Sequence, residues 1–388
     1  VDRIEVASAR VSKGEFDCVH AISQWAKENG LLDTVEVLGF VDGQVSVDWI
    51  AKAGGRVMNL LAKGSKRHVE LQLRKSPEQH LSDIKEVISY ASSKNVDVNI
   101  YLEDWSNGMI HSPDYVHALV KGLIDSPIKR FMLPDTLGIL NPDQAYDFCH
   151  QMVTSYPELK FDFHAHNDYD LAAANVYSAV KAGVHGIHAT VNGMGERAGN
   201  VPLSSVIGVV HDQLKQSTNI EESSINKVSR IVETYSGVRV PANKPVIGEF
   251  VFTQTAGIHA DGDSKDKLYY NDLLPERFGR TREYALGKTS GKANIQKNLE
   301  ELGISLDQDG MKRVTSRIIE LGDKKERVTK EDLPFIIADV LCENTETKDI
   351  EIVNYSISLT QGLNPVATVR LRIKGEFYQE TSTGDGQY

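Results

Sequence analysis

Strand-like and helix-like segments alternate from Val1 to about Leu214, and this alternation limits the fold more than any other feature of the sequence. Seven segments show the alternating or continuous apolar pattern of strands, and each is followed by a helical pattern. Such an order predicts a parallel sheet with crossover helices. The predicted strands are Asp2–Ser8, Thr34–Phe40, Arg56–Ala62, Val96–Asp104, Arg130–Thr136, Lys160–Asp168 and Gly186–Asn192.

Helix starts between these strands carry clear signals. Ser76, Ser112 and Asn141 each precede a proline, which places a capping side chain before a proline in the first helical turn. A closed barrel of this kind needs eight strands, each followed by a helix. We therefore predict an α/β fold, a (β/α)8 TIM barrel whose first βα unit lies upstream of Val1. An open, doubly wound sheet is the alternative.

The alternation stops after Asp212, and the remaining chain predicts smaller units. An irregular, glycine-rich stretch follows, which is usually functional inside a compact protein. We interpret it as a lid that reaches a partner, with a plain interdomain linker as the alternative. Helical patterns come next, and then the β-like runs Ile350–Leu359 and Ala367–Tyr378. The predicted domains are a catalytic barrel at 1–240, an irregular subdomain at 241–290, a helical subdomain at 291–345, and the start of a truncated C-terminal regulatory domain at 346–388.

Composition excludes several classes of protein. The chain has 388 residues and a formal net charge of −11, which argues against a nucleic-acid-binding protein. Cys18, Cys149 and Cys342 are widely separated and odd in number, so we expect no disulfide framework and a reducing cytoplasm. No apolar run of about 18 residues exists, so we predict neither a membrane span nor a signal peptide.

Polar side chains near the ends of the predicted strands indicate a functional site. His164 and His166 alternate with apolar residues, so both project from one strand face, where two neutral imidazoles are half of a metal site. The alternative is two hydrogen-bonded structural histidines. The glycine-rich loop 193–200 can bring its backbone and Asn200 close to a ligand. Glu103 ends another strand, where the alternative is a solvated loop carboxylate.

Six motifs resemble those of the 2-isopropylmalate synthase and citramalate synthase branch of the DRE-TIM metallolyases. They are HAHNDYDLAAAN, GMGERAGN, YLEDW, LPDTLG, TQTAGIHADG and ALGKTSGK, and they extend over nearly the whole chain. The resemblance implies a (β/α)8 barrel, two small subdomains, a C-terminal regulatory domain and a homodimer with exchanged subdomains. It also implies condensation of acetyl-CoA with a 2-oxo acid, followed by thioester hydrolysis that releases CoA.

Residue roles follow from the same resemblance, position by position. His164 and His166 match the two histidine metal ligands, and Asn200 matches a nearby asparagine. Thr136 matches a residue that holds the oxo-acid carboxylate. Among the remaining matches, Glu103, His259 and Tyr269 are catalytic, the latter two offered by the partner subunit, and Leu38, Leu61 and Tyr101 form the pocket for the oxo-acid side chain.

One departure concerns the first strand of the family. The name-giving Arg-Asp motif, with a metal-ligand aspartate and a catalytic arginine, is not in this sequence. This agrees with the count of seven strands, so we expect the motif upstream. Nitrogen and oxygen ligands together predict Mn²⁺ or Zn²⁺, with Mg²⁺ as the alternative. The regulatory domain predicts feedback inhibition by an amino acid in the full-length protein.

The identity of the 2-oxo acid is left open by these residues. An apolar pocket disfavours the charged side chain of 2-oxoglutarate, and hence homocitrate synthase. Bulky Leu61 and Tyr101 resemble citramalate synthases, which use pyruvate. The start of a regulatory domain and the commonness of isopropylmalate synthases favour 2-oxoisovalerate, which we place first. More distant alternatives are a C–C lyase of the same superfamily, which the long segment 241–341 argues against, and a ligand-sensing relic without activity.

Overall fold

The computed structural model describes residues 1–265, 267–326, 328–341, 350–360 and 364–384, and the chain divides into two compact units. The first unit comprises Val1–Phe252 and Tyr270–Arg282, and the second comprises Thr253–Tyr269 and Glu283–Tyr388. Cys342 and the predicted truncation at the C-terminal end lie outside the described residues. The domain boundaries drawn from the sequence remain a prediction.

The first unit contains a curled parallel sheet whose seven strands are hydrogen-bonded in the order of the sequence. This confirms the predicted α/β fold. A doubly wound sheet reverses its strand order at a switch point, and no reversal occurs among these strands. The strands are β1 Ile4–Val6, β2 Val35–Phe40, β3 Val57–Lys63, β4 Asp97–Glu103, β5 Ile128–Asp135, β6 Phe161–Ala165 and β7 Gly186–His188.

Helices follow these strands and bury one face against the sheet. Trp105, Phe131 and Phe163 are among the largest fully buried side chains of this core. The parallel sheet is covered by helices, and its strands are correspondingly rich in buried apolar residues. The helices are α1 Lys13–Glu28, α2 Val45–Ala53, α3 Pro77–Ser93, α4 Trp105–His111, α5 Pro113–Leu123, α6 Pro142–Ser155, α7 Ala172–Lys181, α8 Leu203–Gly208 and α9 Ile225–Ser236.

Two of the three predicted helix caps are confirmed. The Ser76 hydroxyl accepts a hydrogen bond from the backbone N–H of Gln79 at the start of α3. Asn141 forms a reciprocal capping box at the start of α6. The third helix, α5, begins at Pro113 as predicted, but the predicted cap is wrong, because the Ser112 hydroxyl makes no cap and accepts from the backbone N–H of Lys66 at 3.3 Å instead.

Strand β7 is shorter than the sequence predicts. It ends at His188, and Asn192 adopts a left-handed conformation with φ of 62° in the turn Val191–Gly193. The Asn192 side-chain amide is occupied by Ser229 on α9, since it donates to the backbone oxygen of Ser229 and accepts from the Ser229 hydroxyl. The predicted alternation of faces therefore does not continue beyond His188.

The second unit contains a helical group and an antiparallel sheet. Its helices are α10 Gly257–Ser264, α11 Lys292–Leu302, α12 Gln308–Asp323 and α13 Leu333–Leu341. Its strands are the short pair β8 Thr253–Gln254 and β9 Glu283–Tyr284, and the three-stranded sheet β10 Ile350–Ser358, β11 Val366–Ile373 and β12 Glu376–Thr383.

The second predicted β run, Ala367–Tyr378, is wrong as a single strand. The chain turns at Lys374 and Gly375, which have φ of 48° and 91°, so the run is divided between β11 and β12. Two consecutive residues with positive φ make the tight turn that favours an antiparallel hairpin. Throughout both units, none of the described helices has the length and apolar character needed to cross a membrane.

Candidate active site

Two histidines stand at the end of β6 and in the loop that follows it. His164 lies on β6, and His166 forms a β-bridge with Asn200. The ring centroids of the two histidines are 5.2 Å apart. Burial, with the nearby His188 and His166, lowers the pKa of His164 to about 3, and burial also lowers the pKa of His166. Both imidazoles are therefore neutral at pH 7, which is the form that binds a metal.

Three buried polar atoms at this place have no hydrogen-bond partner among the described residues. They are Nδ1 of His164, Nδ1 of His166 and Oδ1 of Asn200. Buried polar atoms are nearly always paired, so such a group indicates a ligand. Two imidazole nitrogens and an amide oxygen fit a divalent transition metal. Within the described ranges no group of three or more His, Cys, Asp or Glu side chains could hold a metal, so the asparagine oxygen is needed in this set.

The loop between β7 and α8 holds the Asn200 side chain in place. Its Nδ2 donates to the backbone oxygen of Met194 at 2.9 Å, and its backbone N–H donates to Gly193 at 3.1 Å. The loop needs glycine at position 199, where φ is 85° and a Cβ atom would overlap the carbonyl oxygen of Gly193. The amide nitrogen is thus occupied within the loop, and the amide oxygen remains for a ligand.

Arg197 joins the three loops that follow β5, β6 and β7. Its Nε and Nη2 atoms lie 2.7 and 2.9 Å from the two carboxylate oxygens of Asp168. The same Nη2 donates to the backbone oxygen of Thr136 at 2.7 Å. This two-pronged ion pair is geometrically specific. Arg197 was not among the residues predicted from the sequence, although its position inside the GERAGN motif was a usable signal.

Thr136 follows β5 and is held by Asp104, which follows the neighbouring strand β4. Its hydroxyl oxygen accepts a hydrogen bond of 2.8 Å from the backbone N–H of Asp104. Asp104 has φ of 65°, an uncommon left-handed conformation for a residue other than glycine. The acceptor role of the Thr136 oxygen leaves its hydroxyl proton for a second partner, as a carboxylate-binding residue requires.

Glu103 forms an ion pair with Lys63, and Lys63 was not among the residues predicted from the sequence. The two residues are register partners at the ends of β3 and β4. Their side chains are 26% and 12% exposed, so the pair is partly shielded from water. The backbone N–H of Lys63 donates to Nε2 of the buried His80 at 3.1 Å. A lysine at the end of a barrel strand could have been recognised by the same rule that singled out Glu103.

The three predicted pocket residues lie on neighbouring strands at two levels. Leu61 and Tyr101 are register partners, whereas Leu38 is the register partner of Asn59, two residues earlier on β3. Tyr101 is 6% exposed, and the edge of its ring faces the His164 ring at a centroid distance of 5.8 Å. Leu61 and Tyr101 are therefore next to each other, and Tyr101 is close to the candidate metal ligand His164.

His259 and Tyr269 are brought together within the second unit. Their ring centroids are 4.3 Å apart. Gly262 on α10 permits the contact, because a Cβ atom there would overlap the Tyr269 ring. The structure thus pairs the two residues with each other, and their action on the barrel residues stays a prediction.

A set of charged and amide side chains inside the first unit was also missed. Asn59 donates to Glu36 at 2.9 Å and also to Glu5, and Asn99 donates to Glu36 at 3.1 Å. Arg3 contacts both Glu36 and Asp162. The pairing of residues this distant in sequence has no local signal.

Models of known families match three consecutive parts of the chain. The family described as HMGL-like matches residues 1–232. The model described as homocitrate synthase post-HMGL domain-like matches residues 246–326, and the LeuA allosteric (dimerisation) domain matches residues 327–388.

Similar proteins include two from Methanopyrus kandleri and one solved structure. A putative (R)-citramalate synthase is 32% identical over 387 residues, which are 100% of this chain and 74% of that protein. A probable 2-isopropylmalate synthase is 32% identical over 388 residues, 100% of this chain and 76% of that protein. The structure of a hydroxymethylglutaryl-CoA lyase from Pseudomonas aeruginosa, 15% identical, superposes with a TM-score of 0.50 over 61% of this chain and 94% of that chain, which supports the barrel-type fold alone.

Proposed function

This chain belongs to the HMGL-like family, and from that premise we propose that it condenses acetyl-CoA with a small 2-oxo acid and then hydrolyses the thioester to release CoA. The observation that carries the proposal is the set of three unpaired atoms on His164, His166 and Asn200. Relatives at 32% identity are named for both citramalate and 2-isopropylmalate synthesis. Both names describe this class of condensation.

His164 and His166 would hold a divalent metal through nitrogen, and Asn200 through its amide oxygen. When bound, such a metal polarises the carbonyl group of the 2-oxo acid as a Lewis acid. The metal identity we favour is Mn²⁺ or Zn²⁺, because the ligand set mixes nitrogen and oxygen. Neutral imidazoles are available for this role across the physiological pH range, since burial lowers the pKa of each.

Other residues of this chain would bind substrate and move protons. The Thr136 hydroxyl would donate a hydrogen bond to the carboxylate of the 2-oxo acid, because its oxygen already accepts from Asp104. Glu103, paired with Lys63, is a candidate for proton transfer at the methyl group of acetyl-CoA, which is only weakly acidic. His259 and Tyr269 are the further candidates, acting across a homodimer that the dimerisation-domain match supports. We also propose an amino-acid feedback inhibitor for the full-length protein.

Pyruvate is the 2-oxo acid that we propose on the basis of the pocket geometry. Tyr101 is 6% exposed, and its hydroxyl bonds Nδ1 of His188 at 2.8 Å, so a large ring is fixed beside His164. Leu61, its register partner, adds a second large side chain. This reverses the order predicted from sequence, in which 2-oxoisovalerate came first. Condensation with 2-oxoisovalerate to 2-isopropylmalate is the second candidate. It is favoured by the relative that is named a probable 2-isopropylmalate synthase and is also 32% identical to this chain.

Release of free thiol from acetyl-CoA tests the proposal. The full-length protein is assayed with Mn²⁺ and either pyruvate or 2-oxoisovalerate, and we expect a clear preference for pyruvate. His164→Gln should abolish thiol release, whereas His150→Gln, on the exposed side of α6, should leave it unchanged. A preference for 2-oxoisovalerate would make that acid the substrate in place of pyruvate. If neither acid gave thiol release, the proposed synthase activity would be refuted and a C–C lyase would be favoured.

A further inference from the structure

The Tyr101 hydroxyl is bound by a histidine from a distant strand. Nδ1 of His188, on β7, lies 2.8 Å from the Tyr101 oxygen. Burial raises the pKa of Tyr101 well above its ordinary value, and the Glu5 carboxyl group adds to this through its charge and through a hydrogen bond with the Tyr101 side chain, so the phenol keeps its proton. Tyr101 can therefore donate, provided that Nδ1 of His188 carries no proton.

Asp162 favours the tautomer of His188 that makes this bond. The Asp162 Oδ2 atom lies 3.6 Å from Nε2 of His188, beyond direct hydrogen-bond range but close enough to attract a proton on Nε2. A neutral imidazole with its proton on Nε2 offers a lone pair on Nδ1. The chain of contacts from Asp162 through His188 to Tyr101 is thus consistent in its donors and acceptors.

Two arginines keep Asp162 ionised and fixed. Arg130 makes a two-pronged contact, with 2.7 Å from Nε to Oδ2 and 2.6 Å from Nη2 to Oδ1. Arg3 adds a third bond of 2.8 Å to Oδ2. The buried carboxylate is thus paired with two guanidinium groups through charge-assisted hydrogen bonds, which are stronger than neutral ones. A carboxylate held in this way is a rigid anchor for His188.

The rings of Tyr101 and His188 and that of the candidate metal ligand His164 are packed edge to face. The His188 centroid lies 5.5 Å from that of Tyr101 and 5.6 Å from that of His164. The Tyr101 centroid lies 5.8 Å from that of His164. A tyrosine in this position can be retained by packing alone, or its precise placement can depend on the bond to His188. The 2.8 Å bond to His188 adds a directional contact to this packing.

We propose that His188 is a positioning residue that determines substrate specificity, because it holds the Tyr101 ring where it admits the methyl group of pyruvate and excludes a branched side chain. This inference rests on the proposed function, and it deepens that function by identifying what keeps the pocket small. His188 is separated from Tyr101 by 87 positions in sequence, and the pocket assignments made from sequence did not include it.

The test compares the ratio of kcat/KM for pyruvate to kcat/KM for 2-oxoisovalerate in the Mn²⁺-loaded full-length enzyme. His188→Leu removes the acceptor, whereas Tyr101→Phe removes the donor, together with its bond to Glu5, but retains the ring. We expect each to lower the ratio about tenfold, the discrimination that a small change in an apolar pocket carries. The double variant should lower the ratio no further than Tyr101→Phe alone, because the bond to His188 is already absent in Tyr101→Phe.

His188→Asn is the rescue variant, because its amide oxygen can occupy the place of Nδ1 and accept from Tyr101. We expect its ratio to stay within about twofold of wild type, a result that a merely structural histidine would not predict. Calorimetric titration of each 2-oxo acid without acetyl-CoA gives a second readout, in which His188→Leu should strengthen the binding of 2-oxoisovalerate relative to pyruvate.

Two results would overturn the inference, and a third concerns the function itself. An unchanged ratio in His188→Leu, with a folded protein by circular dichroism, shows that packing alone holds Tyr101. Additive losses in the double variant show that the two side chains act separately. A wild-type enzyme that releases no CoA with either acid refutes the proposed function instead, so the two failures are distinguishable.

Discussion

Replacing Asp162 with asparagine retains the shape of the side chain and removes the charge that faces Arg130 and Arg3. The Asp162 side chain is 0% exposed, and those of Arg130 and Arg3 are 17% and 27% exposed. Removing one partner of a buried ion pair costs about 3–5 kcal/mol, and the partial exposure of the arginines favours the lower end. We therefore expect Asp162→Asn to lower the free energy of unfolding of the first unit by about 3 kcal/mol.

Tryptophan fluorescence during urea denaturation measures this change in the appropriate unit. The three tryptophans of the chain, Trp25, Trp49 and Trp105, all lie in the first unit. With a denaturant dependence of about 3 kcal/mol/M, the midpoint should fall by about 1 M urea. Asp97→Asn is the matched control, because Asp97 and its partner Lys129 are 59% and 60% exposed. It should change stability by no more than about 0.5 kcal/mol.

The pH dependence gives the sign of the effect. Because the pKa of Asp162 is lowered in the folded protein, its stabilisation is complete above the unfolded pKa of about 3.9 and is lost as the pH falls toward the native value. The difference between wild type and Asp162→Asn should thus be constant from pH 8 to pH 5 and shrink below about pH 4. A variant with wild-type stability at pH 7 would refute the assignment of Asp162 as a buried ionic anchor.

Three further substitutions test the loops around the site. Gly64→Ala places a Cβ atom 2.7 Å from the carbonyl carbon of Leu102, so we expect thermal unfolding to show a loss of about 1–3 kcal/mol in the free energy of unfolding. Gly287→Ala is the control and should be nearly neutral, because a Cβ atom there would have no other atom within 4 Å. Arg197→Lys cannot reproduce the two-pronged contact, and kcat/KM for CoA release should fall at least about tenfold with the fold intact; equal activity would contradict a positioning role. His166→Gln should weaken Mn²⁺ binding about 10–100-fold, as measured by calorimetry, and chelating the metal of the wild-type enzyme should stop thiol release until Mn²⁺ is restored. If His166→Gln bound Mn²⁺ as strongly as wild type, His166 would not be a metal ligand.

Local signals in the sequence determined the order of elements and the class of fold. Apolar periodicity is set by side chains a few positions apart, so the seven strands and helices such as α9 could be predicted from short windows. The same is true of the caps at Ser76 and Asn141. The proximity of His164 and His166 to each other also follows from strand geometry alone.

Tertiary structure decided the contacts between residues distant in sequence. The pairs Lys63–Glu103 and Tyr101–His188 are separated by 40 and 87 positions, and each depends on the register of strands that no local pattern specifies. Ser112 makes no cap for α5, and its hydroxyl instead accepts from the backbone N–H of Lys66, 46 positions away. Local interactions determine which segments become strands and helices. The polar partners inside the barrel depend instead on tertiary packing, because a buried charge is stable only where another part of the fold places an opposite charge or a hydrogen-bonding group beside it.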